Sequence, residues 1–285
     1  MRPAGDNTSV GTMDAQTFET MGTVVSLRIG GAAGGAAGGA AGAADAAAAD
    51  DGHLAGVPSP EAALDAVRRV FTRWDERFSL YRPDSEISRI ARGDIRLTQA
   101  SAELRDCYAI ALDWREHTDG VFTPHRADGV LDLSGVVKSL AIAEAGEALR
   151  GLGLPSWSVN AGGDLLVSGD QSPGQDWVAG IVDPASRQEL LASVPLVAPV
   201  RAVATSGSAE RGEHIWTSTG GGPSPYRQVT VIGLDIVTVD VLATTIVAGG
   251  EAALGRSTET FPIEVLAVLR DGSLVATAGL RAGPG

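Results

Sequence analysis

Asp240 and Thr244 are the two residues whose types and spacing point most directly to chemistry. They stand four positions apart in the stretch from 228 to 250, QVTVIGLDIVTVDVLATTIVAGG, where a β-branched run gives way to a small-residue helix. Positions i and i+4 lie on one face of an α-helix, so the carboxylate and the hydroxyl could reach one ion or phosphate near the helix N-terminus. The alternative is that Asp240 caps the helix and Thr244 packs.

A lysine and a glycine pair extend the set of candidates. Lys138 falls in the first turn of a helix predicted for LDLSGVVKSLAIAEAGEALRGLG. A cation there opposes the helix dipole, which indicates an anionic ligand or a nearby carboxylate, with plain solvent exposure as the alternative. Gly162 and Gly163 precede Asp164 within a strand-like run, WSVNAGGDLLVSG. Close approach by a ligand would explain these glycines, and so would a bulge or a tight crossing.

Two further segments carry groups that bind phosphates or stack on rings. The segment AVATSGSAERGEHI offers hydroxyls, backbone amides, a guanidinium and the His214 imidazole, unless it is a plain surface turn. Tyr81 lies beside a turn at Pro83-Asp84. It is either a stacking surface or a half-buried core aromatic.

The elements that must position these residues follow from periodicity and from capping signals. We predict a first strand over 18–29, then a flexible Gly/Ala-rich insert at about 30–57. Helices are predicted from Ser59-Pro60, from Ser85, over 101–117 with Cys107 in the core, and from just after Asp132 and Ser134 to residue 151 or 153. Further strands are predicted at 157–169, 177–182, 190–194 and 226–234, with a strand that runs into a Thr-Ser-Gly-Ser loop within 202–215 and a closing hairpin over 265–278.

Composition restricts the classes of partner. The 285 residues carry a net charge of −13, which argues against an extended nucleic-acid or anionic-membrane surface. One cysteine excludes an intramolecular disulfide and a multi-cysteine metal site. The N-terminal residues lack an apolar signal region, and no run approaches the roughly eighteen apolar residues of a membrane span. We therefore expect a cytoplasmic protein with no membrane and no nucleic-acid partner.

Five short motifs occur in an order that resembles one known family. They are MGT in the first strand, DLSGVVK before a helix, NAGGD in a strand, ATSG followed by ERGEHI, and DVLAT in the last long helix. Together they resemble the ApbE family of FAD:protein FMN transferases, from about residue 18 to residue 280. Each motif is loose, but their order and spacing are specific.

The resemblance implies an α/β fold of the mixed α+β type, with largely antiparallel sheets, flanking helices and a flavin cleft. It implies one domain over 17–282, after a tail over 1–16. The implied activity is Mg2+-dependent transfer of FMN from FAD to a Ser or Thr hydroxyl of an acceptor protein, releasing AMP. FAD is then the substrate and Mg2+ the cofactor.

The resemblance also assigns roles to residues. The metal would be held by Asp240, Thr244 and the backbone carbonyl of Val137, all oxygen donors. Lys138 and His214 would be catalytic, with His214 accepting the proton of the hydroxyl or orienting the phosphates. Flavin and adenosine contacts would come from Met21, Tyr81, Ser85, Glu86, Lys138, Asn160, Gly162, Gly163, Asp164, Thr205, Ser206 and Gly207.

The chain departs from the family pattern at three places. Ser139 follows the lysine where the family has glycine, Trp216 and its neighbours replace an Asp-Pro after the histidine, and the loop after Phe122 is short. Besides the flavin transferase, two functions therefore stay open: a Mg2+-dependent FAD pyrophosphatase and a non-catalytic FAD-binding protein.

Overall fold

An eight-stranded antiparallel sheet forms the centre of the computed structural model, which describes residues 15–30, 58–207 and 224–281. Residues 1–14 of the predicted tail, nearly all of the predicted insert and His214 lie outside these ranges, whereas Gln16 at the end of that tail already belongs to the first strand. The elements, in chain order, are β1 (Gln16–Thr20), β2 (Thr23–Ile29), α1 (Pro60–Phe78), α2 (Glu86–Ala91), α3 (Ala102–His117), α4 (Ser134–Gly151), β3 (Trp157–Ala161), β4 (Asp164–Ser168), β5 (Trp177–Val182), β6 (Leu190–Leu196), β7 (Ala202–Gly207), β8 (Tyr226–Gly233), α5 (Ile236–Thr260), β9 (Glu264–Leu269), β10 (Leu274–Ala276) and α6 (Ala278–Arg281).

The sheet has the order β1-β2-β3-β4-β7-β8-β9-β10, and β5 and β6 pair separately as a two-stranded ribbon. Every strand pair is antiparallel. This arrangement, with helices flanking the sheet, confirms the predicted mixed α+β fold class. The extra pair β5–β6 interrupts the sequential order of the strands between β4 and β7.

The two faces of the sheet are covered by different elements because side chains alternate along each strand. Val159 and Ala204 point to the larger core, which they share with side chains of α1, α3, α4 and α5. Val167 and Val203 point to the opposite face, where they pack with Trp177 and other residues of the ribbon. The helix-covered face is the one on which α4 and α5 meet the sheet.

The capping residues and the apolar spacing in the sequence predict the helices correctly. Ser59 accepts a hydrogen bond from the Ala62 amide at 3.2 Å and caps α1, as predicted. The predictions for α2, α3 and α4 are likewise confirmed. Cys107 is 2% exposed inside α3, and burial raises the pKa of its thiol to about 12. This cysteine therefore behaves as an apolar core residue.

Two segments that the sequence predicts as single strands are β-hairpins in the structure. The segment predicted as one strand over 18–29 turns at Met21 and Gly22, whose φ values are 50° and 69°. The segment 157–169 turns at Gly162 and Gly163, with φ values of 60° and 95°. Two consecutive residues at positive φ give the turn that matches the twist of paired strands. The glycine pair is thus a hairpin turn and not a bulge within one strand.

The long helix α5 begins earlier than predicted. Asp235 caps it by accepting a hydrogen bond from the Thr238 amide at 2.9 Å, so Asp240 lies in the second turn and the capping alternative for Asp240 is wrong. The backbone leaves helical geometry at Gly250. Contrary to the sequence prediction, α5 is long and apolar enough to span a membrane, with a mean hydropathy of 1.5 in its most apolar window. Since 67% of that window is buried, α5 is a core helix of this fold.

The two hairpin turns touch, and this contact generates a stability prediction. A Cβ atom at Gly162 would lie 2.5 Å from Thr23 Oγ1, besides adopting φ of 60°. We expect Gly162→Ala to lower the free energy of unfolding by about 1–2 kcal/mol for the backbone and a further ~1–3 kcal/mol for the overlap. Urea unfolding measures the loss.

Thr23→Ala provides the matched control because it removes the colliding hydroxyl. In a double-mutant cycle, Gly162→Ala should cost less free energy of unfolding in the Thr23→Ala background than in the wild type. Equal costs in the two backgrounds would show that the turns do not collide.

Candidate functional site

Three elements bring one lysine and two aspartates together on the helix-covered face of the sheet. Lys138 lies at the start of the second turn of α4, one residue beyond the predicted first turn, Asp164 is the first residue of β4, and Asp240 lies in the second turn of α5. The two helices pack against each other and against the sheet, so these side chains converge although they are far apart in the sequence. We call Lys138, Asp164 and Asp240 the charged cluster.

The ammonium of Lys138 lies between two carboxylates. It forms an ion pair with Asp164 Oδ2 and lies 3.9 Å from Asp240 Oδ1. The side chains of Lys138, Asp164 and Asp240 are only 11%, 0% and 7% exposed. Charges this well buried are strongly coupled, and removing one partner leaves an uncompensated charge. The expectation that a carboxylate lies near Lys138 is confirmed, and the alternative of solvent exposure is wrong.

Asp164 is fixed in place from two sides. Its Oδ1 accepts a hydrogen bond from the Thr205 backbone amide at 3.2 Å, while Oδ2 meets the Lys138 ammonium. Burial, reinforced by the negative charge of Asp240, raises the pKa of the Asp164 carboxyl from 3.8 to about 7, against the opposing effect of Lys138 and the Thr205 amide. Desolvation of the carboxylate outweighs its ion pair here.

Asp240 offers an oxygen that no described residue satisfies. Its Oδ2 is buried and has no hydrogen-bond partner in the described ranges. One helical turn further, Thr244 Oγ1 lies 3.1 Å from Ser206 Oγ. Val137, whose carbonyl the resemblance assigns to the metal, is buried in the first turn of α4 beside Lys138. Carboxylate, hydroxyl and carbonyl oxygens suit a hard divalent cation, and a buried unpaired carboxylate oxygen fits such a ligand.

The described ranges hold no group of three or more His, Cys, Asp or Glu side chains that could bind a metal ion on its own. A cation at Asp240 and Thr244 would therefore complete its coordination with backbone, water or substrate oxygens. That composition is typical of Mg2+, which keeps several waters and binds through one or two carboxylates plus phosphates.

The NAGGD segment forms the turn of the β3–β4 hairpin. The Gly163 amide donates a hydrogen bond to Asn160 Oδ1 at 3.2 Å, and the Gly162 amide donates one to the Val24 carbonyl at 3.2 Å. The second bond joins this turn to the β1–β2 hairpin, which carries Met21. Neither glycine presents a Cβ atom, so a ligand could approach the backbone closely at this corner of the sheet.

Thr205, Ser206 and Gly207 end strand β7 beside the charged cluster. Ser206 points to α5, whereas Thr205 points to the opposite face and its hydroxyl lies 2.9 Å from the Thr230 hydroxyl. On that opposite face, Thr205, Gly163 and Asn160 line a cavity of about 260 Å³ beneath the ribbon. The predicted flavin contacts are thus divided between the two faces of the sheet.

Three predicted ligand contacts lie on α2 or just before it. Ser85 caps α2 by accepting a hydrogen bond from the Ser88 amide at 3.1 Å, and Glu86 accepts one from the Ser101 hydroxyl at 2.7 Å. Both side chains therefore have structural partners. Tyr81 is 94% exposed, so the alternative of a half-buried core aromatic is wrong and its ring is available for stacking.

Sequence reasoning missed two connections in this site. It expected a carboxylate near Lys138 without identifying Asp164 as its ion-pair partner. It also passed over Thr230, which contacts Thr205 and is fully buried in β8. A hydroxyl residue inside the apolar run VTVIG was the signal available for Thr230. His214 lies outside the described residues.

The raised pKa of Asp164 predicts a pH dependence of stability in the absence of metal. Between its ordinary value of 3.8 and about 7, the folded state binds the proton more tightly than the unfolded state. The free energy of unfolding should therefore fall as pH rises through this window, by at most about 1.4 kcal/mol per pH unit. Urea unfolding in EDTA at several pH values measures this fall.

Asp164→Asn lacks the titrating group and serves as the reference. The stability of the wild type relative to this variant should decrease from pH 4 to pH 7. A constant difference across this range would contradict the assignment.

Comparisons with known proteins agree with this fold. A model of the ApbE family matches residues 21–128 and 125–267. The ApbE protein of Thermotoga maritima is 19% identical with a TM-score of 0.73, covering 94% of this chain and 98% of its own. The flavin transferase ApbE of Vibrio cholerae is 19% identical with a TM-score of 0.67, covering 94% and 98%. The flavinyl transferase ApbE of Pseudomonas stutzeri, in its apo form, is 20% identical with a TM-score of 0.72, covering 95% and 97%.

No curated protein matches the chain. At these identities the solved structures support the fold, while the family model spans most of the sequence and carries the assignment. The resemblance read from the motifs is confirmed: this chain belongs to the ApbE family.

Proposed function

We propose that this protein transfers FMN from FAD to a Ser or Thr hydroxyl of an acceptor protein, in a reaction that requires Mg2+ and releases AMP. The observation that carries the proposal is the unpaired buried oxygen of Asp240, beside Lys138 and Thr244, in a chain of the ApbE family. The names of the Vibrio cholerae and Pseudomonas stutzeri proteins, a flavin transferase and a flavinyl transferase, support the same reaction class.

The reaction replaces the phosphoanhydride bond of FAD by a phosphodiester bond between FMN and the acceptor. The acceptor hydroxyl oxygen forms a bond to the phosphorus of the FMN half, the bridging P–O bond of FAD breaks, and AMP leaves with the bridging oxygen. The hydroxyl proton needs an acceptor, and we assign this role to His214, whose side-chain type titrates near neutral pH. Such transfers depend mainly on positioning and on stabilising charge.

The described residues supply both requirements. Asp240, Thr244 and the Val137 carbonyl would hold Mg2+, which when bound supplies positive charge for the pyrophosphate. Lys138 adds a second positive charge at the same place. The Gly162-Gly163 turn lets the flavin nucleotide lie against the backbone, and the exposed Tyr81 ring offers a stacking surface. The cytoplasmic location stays a prediction.

Mass spectrometry of a reaction containing the protein, FAD, Mg2+ and an acceptor with a Ser/Thr-Gly-Ala-Thr-like segment tests the proposal. We expect the acceptor to gain the mass of FMN and AMP to appear in equal amount. Free FMN with AMP and an unmodified acceptor would indicate hydrolysis, and unchanged FAD would indicate binding alone; either result contradicts the proposal. In the same assay, transfer at the wild-type rate by His214→Ala would exclude His214 as the proton acceptor.

Two adjacent threonines on α5 give a matched pair for the metal site. Thr244→Val removes a proposed ligand, whereas Thr245→Val removes a hydroxyl that donates to the Val241 carbonyl of its own helix at 2.8 Å. Thr244→Val should raise the Mg2+ concentration needed for half-maximal transfer by about tenfold or more.

Thr245→Val should leave that concentration unchanged within about twofold, since its hydroxyl bond stays within one helix. If both variants respond alike, the effect comes from the helix and not from a ligand. If neither responds, Thr244 does not bind the metal.

A further inference from the structure

The Lys138 ammonium is placed unequally between the two carboxylates of the charged cluster, and the proposed reaction does not explain this placement. Lys138 could pair with either carboxylate, yet its ammonium forms the ion pair with Asp164 and stays 3.9 Å from the nearer oxygen of Asp240. Asp164 is fully buried, so its carboxylate has no surface on which to meet a flavin or an acceptor. Its effect on the reaction must pass through the groups it contacts.

The backbone holds Asp164 rigidly in this position. It is the first residue of β4, directly after the Gly162-Gly163 turn, and it pairs in register with Ala161. Its second oxygen accepts the hydrogen bond from the Thr205 amide at 3.2 Å, which belongs to the neighbouring strand β7. The carboxylate is thus anchored to two strands of the sheet and provides a fixed attachment point for the flexible lysine side chain.

Two cations, the Lys138 ammonium and the proposed divalent metal ion, would bind the same carboxylate oxygens of Asp240. An ammonium in direct contact would engage the carboxylate lone pairs that a divalent metal needs, because both ligands bind through those lone pairs. At 3.9 Å, Lys138 lowers the electrostatic cost of the two buried carboxylates while Oδ2 of Asp240 stays without a partner among the described residues.

We propose that Asp164 is a positioning residue that holds the Lys138 ammonium away from Asp240, so that the Asp240 carboxylate remains available to a divalent cation. This inference rests on the proposed function for the identity of the metal site. It assigns to the Asp of the NAGGD segment a role different from the flavin contact that the resemblance implied.

Asp164→Asn tests the inference because asparagine keeps the size and can still accept the hydrogen bond from Thr205. Without its partner carboxylate, Lys138 should turn to Asp240 and compete with the metal. Mn2+ binding, followed at pH 8 by electron paramagnetic resonance without nucleotide, should weaken by about tenfold, within the range of couplings between contacting residues. A crystal structure of the metal-free variant should place Lys138 Nζ about 3 Å from an Asp240 oxygen.

The double variant Asp164→Asn/Lys138→Met removes both the carboxylate that holds Lys138 and the ammonium that would compete with the metal. It should bind Mn2+ with about the wild-type affinity, because nothing then competes for Asp240 and the net charge of the cluster is unchanged. Asp240 is the one charged side chain of the cluster that remains, and the buried lysine that Asp164→Asn leaves without its ion-pair partner is gone, so the double variant also provides the answer if Asp164→Asn alone does not fold. Thr245→Val controls for nonspecific changes in the core and should bind Mn2+ like the wild type.

Three results would overturn the inference. Asp164→Asn could bind Mn2+ as tightly as the wild type, Lys138 could keep its distance from Asp240 in the variant structure, or the double variant could lose as much affinity as the single variant. The last result would mean that Asp164 acts on the metal without Lys138. A wild-type protein that binds no Mn2+ would instead remove the metal from the proposed function, which is a separate failure.

Discussion

The ion pair between Lys138 and Asp164 is the interaction on which the candidate site depends. It joins the start of α4 to the start of β4 and places a positive charge beside α5. All three elements meet in the larger core, where mostly apolar side chains surround the pair. In such surroundings each charge is tolerated only because its partners are held close. The fold and the chemistry of this protein are therefore linked at one buried contact.

The sheet fixes the positions of the groups that surround the Lys138–Asp164 ion pair. Hairpin turns at Met21-Gly22 and Gly162-Gly163 lie side by side, and they set where β4 begins. Strand β7 then supplies the amide that orients Asp164 and the hydroxyl that meets Thr244. Because strands and helices are stiffer than loops, side chains mounted on them keep their mutual geometry without help from a ligand. The side chains of the charged cluster are in this sense preorganised.

Features set by local physics could be predicted from the sequence. Ser59-Pro60 and Ser101 mark helix starts, and the apolar spacing in α1 and α3 gives their buried faces. The first hairpin could not be recognised, because Met21 adopts a positive φ that non-glycine residues rarely take. The pairing of Lys138 with Asp164 and the exposure of Tyr81 depend on tertiary packing, which periodicity does not report. The family motifs contain all three residues of the charged cluster, while the contacts among them required the structure.

The apolar character of α5 has a consequence for how the chain is made. Its most apolar window has the hydropathy of a membrane-spanning helix, yet 67% of that window is covered by the rest of the protein. The strands β7 and β8 and the helix α4, which pack against it, all precede it in the chain. Since synthesis runs from the N-terminus to the C-terminus, the elements that cover this helix are already synthesised when it leaves the ribosome. The order of elements thus shortens the time for which the apolar helix α5 is exposed to water.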